Sequence, residues 1–279
     1  MIKSIHIAFT ILCIISLEAC RSVPSYSERY GIAETLSATK NWNGYNIQTD
    51  SFLLRSYSFK DLISTNHITV YIEGDGLAWL SRDQPSSNPT PTNPLALELA
   101  LSQPKGTAIY LARPCQYVAD PSCSQKYWTN MRFASNIVSS VNQAISNLKS
   151  KYSASSIELV GYSGGASIAS LVAAERDDVT RIISVAGNID HSAWTAYHKV
   201  SPLKGSLNAI NSINTLKNIR QQHFVGAEDK TIPAKLMISY LNMYPHDSEV
   251  FLTVIDNFDH SCCWIEKWPQ LWAELPNKN

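Results

Sequence analysis

The stretch IELVGYSGGASIASLVAAER, residues 157–176, changes character at its middle. Its first part is an apolar, partly β-branched run of the kind that forms a strand buried on both faces. Its second part reads as a small-residue helix. Between them stand Gly161, Tyr162, Ser163, Gly164 and Gly165. Glycines at such a junction serve any tight strand-to-helix turn. They also serve a serine that must point out of the end of a sheet, because a side chain beside it would meet the adjoining strand and helix. The remainder of the chain decides between these uses.

The strand signature recurs. HITVYIEG, TAIYLARP, TRIISVAGN, QHFVGAED and EVFLTVID are short apolar runs that end in polar or glycine-containing turns. Helical segments lie between them. NMRFASNIVSSVNQAISNLKSKY places Phe133, Ile137, Val141, Ile145 and Leu148 at helix spacing, and GGASIASLVAAER and PAKLMISYLNMY are shorter versions. Alternation of this kind predicts βαβ units, an α/β class with a mostly parallel central sheet and helices on both faces. YNIQTDSFLLRSYSF reads as a hairpin or edge-strand pair. SRDQPSSNPTPTNP is a long Pro, Ser and Asn-rich loop, a candidate wall or lid of a site.

Open α/β sheets bind ligands at the carboxyl ends of their strands. Those ends carry Glu73 and Asp75, then Ser163, then Asp190 and His191, then Glu228 and Asp229, and finally Asp259 and His260. A serine, an acid and a histidine therefore follow one another, each just beyond a strand. This is the chain order of the α/β-hydrolase triad.

At these residues the chain resembles the α/β-hydrolases. GYSGG matches Gly-x-Ser-x-Gly with Ser163 at its centre, GAEDKTIP resembles the segment that carries the acid, and DHSCCW resembles the histidine loop. YIEGDGLAWLSRDQPS, RPCQY, GYSGGASIA, VAGNIDHSAW and CCW are similar to a group of bacterial lipoproteins of that fold. The likeness spans about residues 45–273. It implies a nucleophile at Ser163, a base at His260 and an orienting acid at Asp229, with Asp190 as the competing acid after the preceding strand. It implies an oxyanion hole made by the backbone N–H groups of Asp75 and Gly164, and a reaction that needs no metal or organic cofactor. Glu73 stands where the family commonly has histidine. An Asp75 side chain turned into the hole would oppose the developing negative charge. The expected substrates are carboxylic esters, with peptides and thioesters as alternatives for the same triad; a non-catalytic envelope protein that kept the fold for binding is the rival from another class.

Other residues have plainer readings beside functional ones. His191 and His198 suit pocket walls or structural hydrogen bonds. Trp194 and Trp264 suit either an acyl pocket or the core. His67, His223 and His246 have no partner motif. Glu73 with Asp75 could be a glycosidase pair or a calcium loop, but such residues more often orient a loop. A dinucleotide loop at GYSGGA lacks its third glycine.

The 279-residue chain has 23 basic and 23 acidic residues, without a long block of either sign, so it offers no footprint for nucleic acid. MIKSIHIAFTILCIISLEAC has Lys3 followed by an apolar run too short to span a bilayer comfortably. Residues 1–19 are expected to be a lipoprotein-type signal peptide. LEAC resembles a lipobox, with Cys20 lipidated as the first mature residue and Glu18 an unusual neighbour. Residues 20–44 are expected to be a linker or loosely docked arm, and residues 45–279 the hydrolase domain. The lipid would tether the domain to a membrane in the bacterial envelope. Export leaves Cys115, Cys123, Cys262 and Cys263 in an oxidising compartment. Cys115–Cys123 closes a short loop and is the default bridge, whereas the adjacent pair is awkward. Three pairings remain open, and a zinc site lacks its usual spacing.

Overall fold

The computed structural model describes residues 23–275. Residues 1–19, where a signal peptide is expected, and Cys20 lie outside these residues. In chain order the elements are α1 (Tyr26–Thr39), β1 (Trp42–Gln48), β2 (Leu53–Phe59), β3 (His67–Ile72), α2 (Leu95–Leu101), β4 (Ala108–Leu111) and α3 (Ser135–Lys151). Then follow β5 (Ser156–Tyr162), α4 (Gly164–Ala173), β6 (Val179–Val185), α5 (His191–His198), α6 (Ile213–Leu216), β7 (Gln221–Gly226), α7 (Ala234–Leu241), β8 (Val250–Ile255) and α8 (Trp264–Ala273).

The eight strands form one sheet in the order β1-β2-β4-β3-β5-β6-β7-β8. The β1–β2 pair is antiparallel, as the hairpin reading expects, and β2 also runs antiparallel to β4. From β4 through β8 every neighbouring pair is parallel. All the carboxyl ends of these six strands therefore emerge on one edge of the sheet, and the loops beyond them share one site.

Period-two alternation divides the core into two layers. Ile68, Val70 and Ile72 of β3, with Ile109 and Leu111 of β4, join the layer that α3, α4 and α7 cover. Tyr71, Tyr110, Val160, Ile183 and Phe224 project into the other layer, under α2 and α8. Helix α3 forms because Ile137, Val141, Ile145 and Leu148 make one apolar stripe, and all four are buried. Burying such a side chain contributes roughly 1.5–3 kcal/mol. Trp264 and Trp268 of α8 are wholly buried, so Trp264 packs the core, with its ring 4.9 Å from that of Phe258.

The N-terminal arm departs from expectation. Residues 26–39 are a 14-residue helix, and β1 begins at Trp42 rather than at residue 45. Ser25 and Glu28 close a capping box at the helix start, in which each side chain accepts from the other's backbone N–H. Tertiary contacts hold the rest. Arg29 donates to the carbonyls of Asn88 and Thr90, Glu34 pairs with Arg55 at 2.5 Å and accepts from the Tyr57 hydroxyl, and Ala33 is buried. The helix has no apolar stripe, which is why patterning leaves it as a linker.

Its Arg29 also pins the Pro-rich loop. Within that loop Ser86 and Thr90 are buried, Trp128 Nε1 donates to the Ser86 carbonyl at 3.1 Å, and Tyr117 N donates to Thr90 Oγ1 at 2.8 Å. These bonds make the loop a packed wall. The Cys115–Cys123 bridge is present, with Cα atoms 5.6 Å apart, and Cys262 is joined to Cys263.

Candidate active site

Strand β5 ends at Tyr162, and Ser163 turns the chain into α4 with φ 50° and ψ −121°. A non-glycine residue adopts this conformation only where its surroundings impose it. Two close approaches do so here. A Cβ at Gly161 would overlap the backbone of Ala166, and one at Gly165 would overlap the carbonyl of Ile72. Ser163 N donates to the Val185 carbonyl on β6, and its own carbonyl accepts from Ala166 N and Asn188 N. The serine is thus fixed at the carboxyl edge between β3 and β6.

His260 reaches it from the loop beyond β8. Its Nε2 lies 3.0 Å from Ser163 Oγ, and its Nδ1 lies 2.9 Å from Asp229 Oδ2. The loop is held by Asp259, whose Oδ1 accepts from the backbone of Ser261 and Cys262 at 2.8 and 2.6 Å. The His260 carbonyl accepts from Tyr162 Oη at 3.2 Å and from Trp264 Nε1 at 3.3 Å. The imidazole is 22% exposed and the Asp229 carboxylate is fully enclosed. Asp229 Oδ1 accepts from Thr231 N and Ile232 N at 2.8 and 2.7 Å, which fixes the carboxylate's orientation toward the ring.

Asp190 is not part of this line. It caps α5, accepting from Ser192 N and Ala193 N at 3.0 and 3.1 Å and from Asn208 Nδ2 at 2.8 Å. His191 is buried and stacks on Phe133 at 5.8 Å. Trp194 Nε1 donates to the Thr231 carbonyl at 2.8 Å, and His198 Nε2 lies 2.8 Å from the same oxygen. Helix α5 therefore braces the loop that carries Asp229. His67 bonds Ser156, and His223, fully buried and pushed down to about 3 by burial, bonds Ser184 inside the core. His246 is exposed.

The turn after β3 carries two occupied carboxylates. Glu73 is buried; its Oε1 accepts from Gly74 N at 2.9 Å and its Oε2 from the Tyr110 hydroxyl at 3.1 Å. Burial raises it to about 7. Asp75 pairs with Arg113 at 2.6 Å and with Arg132, so it does not stand as a bare charge against Ser163. Burial would raise its carboxyl, but the two guanidiniums hold it below the usual range. Among the described residues, the backbone N–H groups of Asp75 and Gly164 donate to no protein acceptor. A cavity of about 600 Å³ adjoins the histidine, lined by Glu228, Lys230, Thr231, Asp259, His260 and Ser261.

Sequence reading brings Ser163, Asp229, His260, Asp75 and Gly164 to this edge, and the structure gathers all five there. It does not identify Arg113, Arg132 or Tyr162. Arg113 carried one clue, a lone charge just past the apolar run of β4.

No family model and no curated protein matches the chain. Solved structures do. An esterase of Pyrococcus furiosus is 14% identical over 83% of this chain and 87% of that one, with a TM-score of 0.58. An α/β serine hydrolase homologue from Coxiella burnetii is 16% identical over 83% and 94%, with a TM-score of 0.54. Est1E from Butyrivibrio proteoclasticus is 13% identical over 83% and 96%, with a TM-score of 0.56. In strand order, in the elbow after β5 and in its likeness to these structures over 83% of its length, the chain has the α/β-hydrolase fold.

Proposed function

We propose that the protein is a serine hydrolase that cleaves carboxylic esters through an acyl-enzyme on Ser163. The observation that carries this reading is the unbroken line from Ser163 Oγ through His260 to Asp229, with links of 3.0 and 2.9 Å. A serine hydroxyl is a weak nucleophile until a base takes its proton during attack, and His260 Nε2 is placed to take it. Asp229 accepts from Nδ1, which leaves Nε2 free to act as the base and stabilises the imidazolium. As Oγ bonds to the ester carbon, the carbonyl oxygen gains the negative charge. The free N–H groups of Asp75 and Gly164 supply donors for it, each typically contributing ~3–4 kcal/mol. Collapse expels the alcohol, which takes the proton from His260. Water then attacks the acyl-enzyme carbonyl as His260 takes its proton, and collapse releases the carboxylic acid while Ser163 Oγ regains the proton.

The esterase-like neighbours fit a small-molecule ester, and the cavity of about 600 Å³ beside His260 has room for part of one. The lipobox-like LEAC supports an anchor on Cys20 that holds the enzyme at a membrane face of the bacterial envelope. Stopped-flow kinetics on p-nitrophenyl esters of graded chain length test the reaction. The reading expects a p-nitrophenol burst equal to the enzyme concentration where deacylation limits. Hydrolysis of peptide or thioester probes but of no oxygen ester would overturn it.

A further inference from the structure

We infer that Asp75, Arg113 and Arg132 act as one positioning unit for the oxyanion hole, fixing the Asp75 N–H and offsetting the charge of the Asp75 carboxylate beside it. The inference rests on the proposed serine hydrolase reading. Three observations carry it. First, the Asp75 side chain lies directly against the nucleophile's neighbour, because a Cβ on Gly164 would overlap its carboxylate. The carboxylate thus stands beside the place where the substrate oxygen would become anionic. Second, both of its oxygens are engaged. Arg113 Nη1 donates to Oδ1 at 2.6 Å and Arg132 Nη1 donates to Oδ2, so the side chain cannot rotate without breaking an ion pair. Third, the arginines are themselves immobilised. Arg113 Nη2 donates to the Arg132 carbonyl, Arg132 Nε donates to the Thr129 carbonyl at 2.7 Å, and the Arg113 guanidinium lies 5.1 Å from the Phe133 ring centre.

The turn is held from the same side by Gln116. Its Nε2 donates to the Gly74 carbonyl at 3.0 Å, and its Oε1 accepts from Arg113 N at 3.0 Å. The peptide that ends in the Asp75 N–H is therefore tied to the loop after β4 through its carbonyl, and the second bond fixes Gln116 within that loop. The side chains of Arg113 and Arg132 are only 5% and 7% exposed, against 21% for Asp75. The two guanidiniums offset the Asp75 charge where screening by water is weak. A lone Asp75 would resist the oxyanion; the paired one does not stand against it as a bare charge. Arg113 and Arg132 are positioning residues and do not touch the substrate.

The test uses the full-length chain, p-nitrophenyl butyrate and a trifluoromethyl ketone, whose hydrated or serine-bound form mimics the tetrahedral intermediate. Asp75→Asn and Arg132→Gln should each lower kcat by about 10- to 100-fold, the scale of a misplaced donor, with KM within about threefold. Affinity for the ketone should fall by the same factor. The double variant should be no worse than the poorer single by more than about threefold, because the residues act as a unit. Thermal unfolding of each variant checks folding. Should these variants fail to fold, Arg132→Lys carries the test, since it keeps a charge beside Asp75. It should lose about 3- to 10-fold in kcat and in ketone affinity, with KM unchanged. Losses confined to KM, additive losses, or kcat equal to wild type would overturn the inference alone. A wild-type chain that neither reacts with a fluorophosphonate nor hydrolyses the ester would instead remove the hydrolase reading beneath it.

Discussion

Replacing Asp229 by Asn tests the relay at the point where geometry predicts the most. The carboxylate receives Thr231 N and Ile232 N on Oδ1 and His260 Nδ1 on Oδ2. An asparagine must offer its carbonyl oxygen to the two backbone donors, because its amide nitrogen cannot accept from them. That choice turns the NH₂ group toward His260 and makes it donate to Nδ1. The neutral imidazole then carries its proton on Nε2, facing Ser163 Oγ 3.0 Å away, where it cannot act as a base. Three hydrogen bonds survive, so the loop should hold; weakening charge-assisted bonds to neutral ones costs about 1–2 kcal/mol. Activity should fall by on the order of 10⁴ in kcat, with little change in KM. Steady-state hydrolysis of p-nitrophenyl butyrate, with thermal unfolding alongside, measures both effects. Asp190→Asn is the internal control. Asparagine caps a helix about as well as aspartate, so that variant should stay within a few-fold of wild type. An inactive Asp190→Asn beside an active Asp229→Asn would refute the reasoning.

Two further predictions follow from the structure and the sequence. Burial holds Glu73 at about 7, whereas an unfolded glutamate titrates near about 4.3, so the folded chain keeps an extra proton between these values. This contribution to stability is complete below about 4.3 and is lost as pH rises through about 7. Glu73→Gln should flatten that decline in urea unfolding between pH 5 and 8, and a slope identical to wild type would count against it. The proposed anchor predicts that wild-type protein expressed in bacteria sediments with the membrane and Cys20→Ala with the soluble fraction; a wild-type mature chain without acyl mass would contradict the anchor.

Much of the fold could be read from the chain because buried parallel strands announce themselves locally. Runs such as IELVGY and HITVYI carry the β-branched pattern within a few residues, and α3 shows its stripe at Ile137, Val141, Ile145 and Leu148. Ser163, Asp229 and His260 were legible for a related reason: each stands at the first polar turn beyond such a run, and parallel strands bring those turns together. What escaped reading depends on contacts distant in sequence. Asp75 meets Arg113 and Arg132 across 38 and 57 residues, and no spacing rule links them. Helix α1 buries a mixed face of Arg29, Ala33 and Ser37 that makes no apolar stripe, and Arg29 ties it to a loop 59 and 61 residues away. Its capping box, Ser25 with Glu28, was the one local sign. Helix α8 carries Pro269 in its interior, which reads as a break, although Trp264, Trp268 and Leu271 keep helix spacing and are buried.

The central claim is that Ser163 is the nucleophile, and covalent capture tests it most directly. Intact wild-type protein is incubated with a fluorophosphonate, digested and mapped by mass spectrometry, beside Ser163→Ala. One phosphonyl adduct is expected on Ser163, formed with loss of fluoride, and none on the alanine variant, which should fold normally and lose roughly 10⁴–10⁶ in kcat. A wild-type protein that stays unlabelled, an adduct on another serine, or near wild-type turnover by Ser163→Ala would contradict it.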